Sequence, residues 1–98
     1  MPSLKDITET LQEHKEELQR QYRVKNLGIF GSFARGEMNE RSDIDLLVEF
    51  EAGQKTFDHF MDLKYHLEEL FGRKIDLVTV DALRPQMKDE ILRAVTYA

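Results

Sequence analysis

The feature that most constrains the fold is a strand–helix–strand succession in the second half of the chain. Residues 43–50 and 75–80 are runs rich in Ile, Leu and Val, which predicts two buried strands. Between them, apolar residues recur at helical spacing over residues 57–71, and Gly72 follows as a C-cap. A strand, a helix and a strand in sequence usually form a right-handed parallel crossover. We therefore expect the two strands to begin side by side.

The remaining segments predict helices around a small sheet. Residues 4–21 predict an amphipathic helix, residues 24–30 a strand, residues 32–36 a turn or single helical turn, and residues 37–42 a polar loop. A last helix is predicted to begin at Pro85 and to include Val95. The expected order is α-β-β-α-β-α. The chain, residues 1–98, is thus predicted to be a single α/β domain with a small mixed sheet of about three strands or slightly more.

Two short motifs lie at the ends of the predicted strands. Gly31 and Ser32 follow the first strand, and Asp43 and Asp45 stand at the head of the second. Because side chains alternate along a strand, Asp43 and Asp45 lie on the same face. The crossover sets the third strand beside the second, so Asp76 near its start can join them. The pattern therefore predicts a cluster of three carboxylates.

A cluster of carboxylates predicts a cation site. Two unit charges ~4 Å apart repel by about 4 kcal/mol at an effective dielectric of 20, so the cluster must take up protons, move apart or bind cations. Hard oxygen ligands favour Mg²⁺ or Mn²⁺, and two such ions can stabilise a phosphoryl displacement. We expect Asp43 and Asp45 to bind the metal that holds a triphosphate. We expect Asp76 to join them on a second metal that activates the attacking hydroxyl, or to remove its proton.

The turn after the first strand predicts a binding site for phosphates. Gly31 has no Cβ and permits close approach of the backbone to a ligand. Ser32 can offer its hydroxyl and neighbouring amides to a triphosphate, and Arg35 can add a bidentate phosphate contact. Each element alone is weak evidence. Together with the three acids at these spacings, they predict nucleotidyl transfer.

The bulk properties narrow the partners and the location. The net charge of −5 argues against a long nucleic-acid track, since such surfaces are usually basic. No apolar run approaches the ~20 residues that span a bilayer. The chain has no cysteine, and its N-terminus lacks the pattern of a signal peptide. We therefore expect a cytoplasmic protein that contacts neither a membrane nor nucleic acid directly.

These residues resemble the nucleotidyltransferase superfamily that includes DNA polymerase beta. The superfamily pattern is Gly-Ser, a spacer, Asp-x-Asp and a third acid on a later strand, and Gly31-Ser32, Asp43-x-Asp45 and Asp76 match it. The longer run GSFARG…SDIDLLV is similar to the minimal nucleotidyltransferase (MNT) subgroup, which is little more than the catalytic domain. The resemblance implies the polymerase beta-like nucleotidyltransferase fold with the helices packed around its sheet.

The resemblance also implies a reaction and a partner. MNT proteins are typically antitoxins of all-helical HEPN ribonuclease toxins, which implies transfer of AMP from ATP to a tyrosine of the toxin, with pyrophosphate released. Superfamily members that act on antibiotics or nucleic acid generally carry a further substrate-binding domain, for which we expect no room in 98 residues. Two alternatives stay open: a non-catalytic antitoxin that acts by binding, and a nucleotidyltransferase for a small molecule or an RNA end.

Overall fold

The computed structural model describes residues 2–98, and Met1 of the predicted domain lies outside the described residues. The helices are α1 (Leu4–Glu13), α2 (Lys15–Tyr22), α3 (Gly31–Arg35), α4 (Phe57–Phe71) and α5 (Pro85–Ala94). The strands are β1 (Val24–Phe30), β2 (Ile44–Phe50), β3 (Ile75–Thr79) and β4 (Thr96–Tyr97), and a 3₁₀ turn spans Val80–Ala82. No helix within residues 2–98 has the length and apolar character to cross a membrane.

The four strands form one mixed sheet in the order β3-β2-β1-β4. β2 and β3 pair in parallel, which confirms the predicted crossover through α4. β1 pairs antiparallel with β2 on one side and with β4 on the other. The predicted α/β class with a small mixed sheet is therefore confirmed, and β2 lies inside the sheet with a partner on each side.

The core explains why β2 is so apolar. Ile44, Leu46, Leu47 and Val48 are each at most 1% exposed, as expected for a strand that is covered on both faces. The buried helix residues that pack with the sheet come from α1, α2, α3 and α4, namely Ile7, Leu11, Leu18, Phe33, Leu63 and Leu67. Full burial of such a side chain contributes roughly 1.5–3 kcal/mol. The core thus fixes the heads of β2 and β3, where the predicted acids lie.

The predicted single helix over residues 4–21 is wrong, because the chain forms two helices. The break is at His14, whose backbone has φ −99° and ψ 6°. In α1, the hydroxyls of Thr8 and Thr10 donate to the carbonyls of Leu4 and Asp6, at 2.8 and 2.9 Å. Hydroxyls bonded to the carbonyl four residues earlier often bend helices, which accounts for an interruption without glycine or proline.

The C-terminal end of the chain also differs from the prediction. Val95, predicted in the last helix, is extended at φ −72° and ψ 138° and leads into β4. Gly28 makes room for this strand, because a Cβ at Gly28 would lie 2.5 Å from Val95 Cγ2 and 3.1 Å from the Tyr97 ring. The ends predicted at residues 43 and 80 are each one residue too long. Val80 opens the 3₁₀ turn, and the first paired residue of β2 is Ile44.

Candidate active site

Two aspartates lie side by side where β2 and β3 begin. Asp45 and Asp76 are each the second residue of their strand, and they are direct partners in the parallel register. Their carboxyl groups are close enough to form a side-chain hydrogen bond with each other. Such a bond needs a shared proton, since two ionised carboxylates only accept hydrogen bonds. The crossover therefore brings together two of the three acids predicted at this site.

The pKa of Asp45 is raised because this side chain is partly buried and lies close to the other acids. Burial is the largest cause that raises it, followed by the charge of Asp76, the hydrogen bond with Asp76 and the charge of Asp43. The positive charge of Arg35 opposes them, and the net effect raises the pKa of Asp45 from 3.8 to about 6. A carboxyl group that holds its proton this tightly favours any ligand that supplies positive charge in place of the proton.

Asp43 lies one residue before β2 and is bounded by two hydrogen bonds of the backbone. The carbonyl of Ser42 accepts a bond from Arg73 at 3.0 Å, and the amide of Ile44 donates to the carbonyl of Lys74 at 3.1 Å. The Asp43 side chain is 44% exposed, and its Oδ2 is 4.0 Å from Lys74 Nζ. The third predicted acid is therefore beside the pair, close enough for its charge to act on Asp45.

Gly31 allows the backbone to pass against Asp45. It has φ +71°, in the left-handed region that favours glycine. A Cβ built on Gly31 would overlap Asp45 Oδ2 and would lie 2.8 Å from Asp45 Cγ. In this structure the group that lies against the Gly31 backbone is thus the carboxylate of Asp45, and the predicted approach of a ligand to Gly31 stays a prediction.

Ser32 and Arg35 follow Gly31 in α3. Ser32 is partly buried, and its carbonyl accepts a hydrogen bond from the amide of Glu37 at 2.9 Å. Arg35 Nε donates to Glu37 Oε2 at 3.1 Å, and the Arg35 side chain is 57% exposed. An exposed ion pair of this kind contributes about 0–1 kcal/mol, so a phosphate could replace Glu37 as the partner of Arg35.

A cleft of about 330 Å³ opens beside Asp45 and is lined by residues of β1, α3, β2 and α5. Its lining is mixed: Arg35, Asp45 and Glu90 are charged, whereas Phe30, Met87, Ile91 and Ala94 are apolar, and Gly31 adds backbone. Volumes of this order are typical of small-molecule sites. This mixed lining suits a ligand that has both a charged group and a flat apolar group.

The donor set fits Mg²⁺, provided that a substrate completes the shell. Magnesium at nucleotide sites is usually bound by one or two carboxylates together with phosphate oxygens and water. Asp45 and Asp76 supply two adjacent carboxylates, with Asp43 beside them. Within residues 2–98, no three acidic, histidine or cysteine side chains form a metal cage by themselves. Phosphate oxygens would therefore have to provide further ligands.

Two contributors to this region were not predicted from the sequence. The helical pattern predicted α5, but it did not show that Met87 and Ile91 would line the cleft. Arg73 was not among the predicted site residues, yet it bonds to the loop that precedes Asp43. The signal in the sequence that could have indicated this role was a basic residue between the C-cap glycine of α4 and the strand that carries Asp76.

Comparison with known proteins identifies relatives over almost the whole chain. The family described as "Nucleotidyltransferase domain" matches residues 11–97. Protein adenylyltransferase MntA of Thermococcus cleftensis is 39% identical over 97 residues, which cover 99% of this chain and 97% of that protein. A solved structure provisionally described as a minimal nucleotidyltransferase has a TM-score of 0.81 at 35% identity, over 97% of this chain and 95% of the other.

A more distant structure shares the fold. It is an MNT antitoxin in complex with a tri-AMPylated HEPN toxin of Shewanella oneidensis, with a TM-score of 0.63 at 16% identity. The matched region covers 92% of this chain and 70% of that chain. At this identity the likeness concerns the arrangement of helices and strands alone.

Proposed function

This chain belongs to the nucleotidyltransferase domain family, and we propose that it transfers AMP from ATP to a tyrosine hydroxyl of a HEPN-family toxin, which it thereby neutralises. The observation that carries the proposal is the direct pairing of Asp45 with Asp76 beside Gly31. The name of the Thermococcus relative, a protein adenylyltransferase, supports a protein acceptor. The AMPylated toxin bound to an antitoxin of the same fold supports the class of partner.

The residues take the following roles in this proposal. Gly31, Ser32 and Arg35 hold the triphosphate, and Asp43 and Asp45, with Asp76, hold two Mg²⁺ ions, for which Mn²⁺ can substitute. Bound metal would supply positive charge that stabilises the phosphate oxygens. The positions of Asp45 in β2 and of Asp76 in β3, at the sheet edge, leave the side of Asp76 open to the acceptor.

The transfer itself is an in-line displacement at the α-phosphorus of ATP. The tyrosine oxygen forms a bond to this phosphorus while the bond to the β-phosphate oxygen breaks and pyrophosphate leaves. The proton of the tyrosine hydroxyl passes to the carboxylate of Asp76. Little other covalent chemistry is needed from the protein, because phosphoryl transfer depends mainly on positioning and on charge stabilisation.

The cleft supports a nucleotide as the ligand beside Asp45. Its lining includes Gly31 and Arg35, which suit the triphosphate, and Met87 and Ile91, which suit the flat face of a base. The nucleotide would then enter from the α5 side and the acceptor from the β3 side of the acid cluster. We infer a cytoplasmic location, because the proposed substrate is ATP and the chain has no cysteine to form disulfides.

The proposal is tested by incubating the purified chain with its candidate HEPN partner, ATP and Mg²⁺, followed by mass spectrometry of the partner. We expect the partner to gain one or more AMP groups on tyrosine. Asp43→Asn and Asp45→Asn should each reduce labelling at least a hundredfold, because each removes a charged oxygen ligand. Asp62→Asn is the matched control, since Asp62 is an exposed aspartate of α4 and its loss changes the net charge equally.

Three results would contradict the proposal. Labelling that survives both site substitutions would exclude these acids from the reaction. An Asp45→Asn chain that still neutralises the toxin without labelling it would favour inhibition by binding. Steady release of pyrophosphate with a free small molecule or an RNA end, and no protein partner, would instead favour the other alternative acceptor.

A further inference from the structure

One arginine connects three segments that carry the candidate site. Arg73 lies between the end of α4 and the start of β3, three residues before Asp76. Its Nη1 donates to the carbonyl of Ser42 at 3.0 Å and to the carbonyl of Glu40 at 3.3 Å. Its Cζ lies 5.6 Å from the centre of the Phe33 ring, which is fully buried in α3.

These contacts act on the loop that ends at Asp43. The loop forms a turn of its own, in which the amide of Ser42 donates to the carbonyl of Asn39 at 3.0 Å and the amide of Asn39 donates to Ser42 Oγ at 2.9 Å. Within residues 2–98, the side-chain hydrogen bonds that join this turn to the segment before β3 are those of Arg73. The peptide groups on either side of Asp43 are both bonded to consecutive residues, Arg73 and Lys74.

We propose that Arg73 is a positioning residue, which fixes the position of Asp43 relative to Asp45 and Asp76. The expected effect on the kinetics rests on the proposed function, whereas the anchoring of the loop before Asp43 by Arg73 does not. The chemistry requires an arginine. One Nη carries two N–H groups that can reach two carbonyls at once while the planar guanidinium faces an aromatic ring. A lysine keeps the charge but has no planar fork and stacks less well on Phe33.

Hydrogen exchange tests the anchoring without any enzymatic activity. In Arg73→Met and in Arg73→Lys we expect the peptide that covers residues 37–44 to exchange at least tenfold faster than in the wild-type chain, while peptides from α1 stay unchanged. Arg41→Met is the matched control, because Arg41 lies in the same loop and, within residues 2–98, only its backbone amide is bonded, to Asn39 Oδ1 at 2.8 Å. Unchanged exchange over residues 37–44 in both Arg73 variants overturns the proposal.

Steady-state kinetics test the consequence for the reaction. We expect kcat for AMP transfer to fall at least tenfold in both Arg73 variants, with the KM for the partner protein within twofold of the wild-type value. Full recovery of kcat in Arg73→Lys, or faster loop exchange with unchanged kcat, overturns the positioning role. If the wild-type chain transfers no AMP, the proposed function fails, and the exchange measurement still decides whether Arg73 anchors Asp43.

Discussion

Replacing Gly31 by alanine perturbs the backbone and the acid cluster at the same time. Gly31 has φ +71°, which is unfavourable for any residue with a Cβ. The new methyl group would also overlap Asp45 Oδ2. The Asp45 side chain would have to turn away from this methyl group, which would change its position relative to Asp76.

The two effects can be separated with a second glycine. Gly53 has φ +75°, and a Cβ there would meet no atom within 4 Å. Gly53→Ala therefore has the backbone cost alone, roughly 1–2 kcal/mol. Gly31→Ala should have this cost together with the steric overlap, for which overpacking adds typically about 1–3 kcal/mol. We expect the free energy of unfolding to fall by about 2–5 kcal/mol in Gly31→Ala.

Urea denaturation and AMP transfer measure the two variants side by side. We expect Gly53→Ala to keep wild-type AMP transfer and Gly31→Ala to lose it at least a hundredfold, under conditions in which both chains are folded. Equal losses of stability in the two variants would show that the Gly31 methyl group does not collide with Asp45. Wild-type activity of Gly31→Ala would show that the close approach is not needed for the reaction.

Two further substitutions test the site and the sheet. Asp45→Asn should raise the free energy of unfolding at pH 8 by about 1 kcal/mol but leave it unchanged at pH 3.5. The pKa of folded Asp45 is about 6 rather than 3.8, so the wild-type chain loses stability as the pH rises between these two values, and the asparagine variant does not. The expected gain is kept small because Asp45 is partly exposed to solvent. No difference between the two pH values would refute this. Gly28→Ala should cost about 1–3 kcal/mol by pushing Val95 and β4 off β1, measured by urea denaturation; unchanged exchange of the Ala98 amide, which donates to the Leu27 carbonyl at 2.9 Å, would contradict it.

The pairing of Asp45 with Asp76 could be predicted because it depends on rules that act over whole elements. The apolar run of β2, the helical spacing of α4 and the handedness of the crossover together determine which strand heads meet. These rules predicted that the two acids begin neighbouring strands, and the register of the structure sets them directly opposite each other. The predicted membership of the nucleotidyltransferase family is likewise confirmed, because that family matches residues 11–97.

The parts that could not be predicted depend on contacts between distant residues. β4 has two residues, which is too short for any alternating pattern to appear. Its formation depends on the space left by Gly28, and that space cannot be read from local sequence. The break at His14 has no glycine or proline to mark it. Arg73 lies before β3 and bonds to the carbonyl of Ser42, which lies before β2, so its role appears only when the two strands are assembled.

The low burial of α5 has a consequence for how the cleft can open. None of the ten side chains of α5, all within the described part of the chain, is buried, although four of them line the cleft. Local unfolding is least costly where few apolar contacts are lost. We therefore expect α5 to open at a lower free-energy cost than the sheet that carries the acids, so that in the proposed reaction pyrophosphate can leave without unfolding of the core.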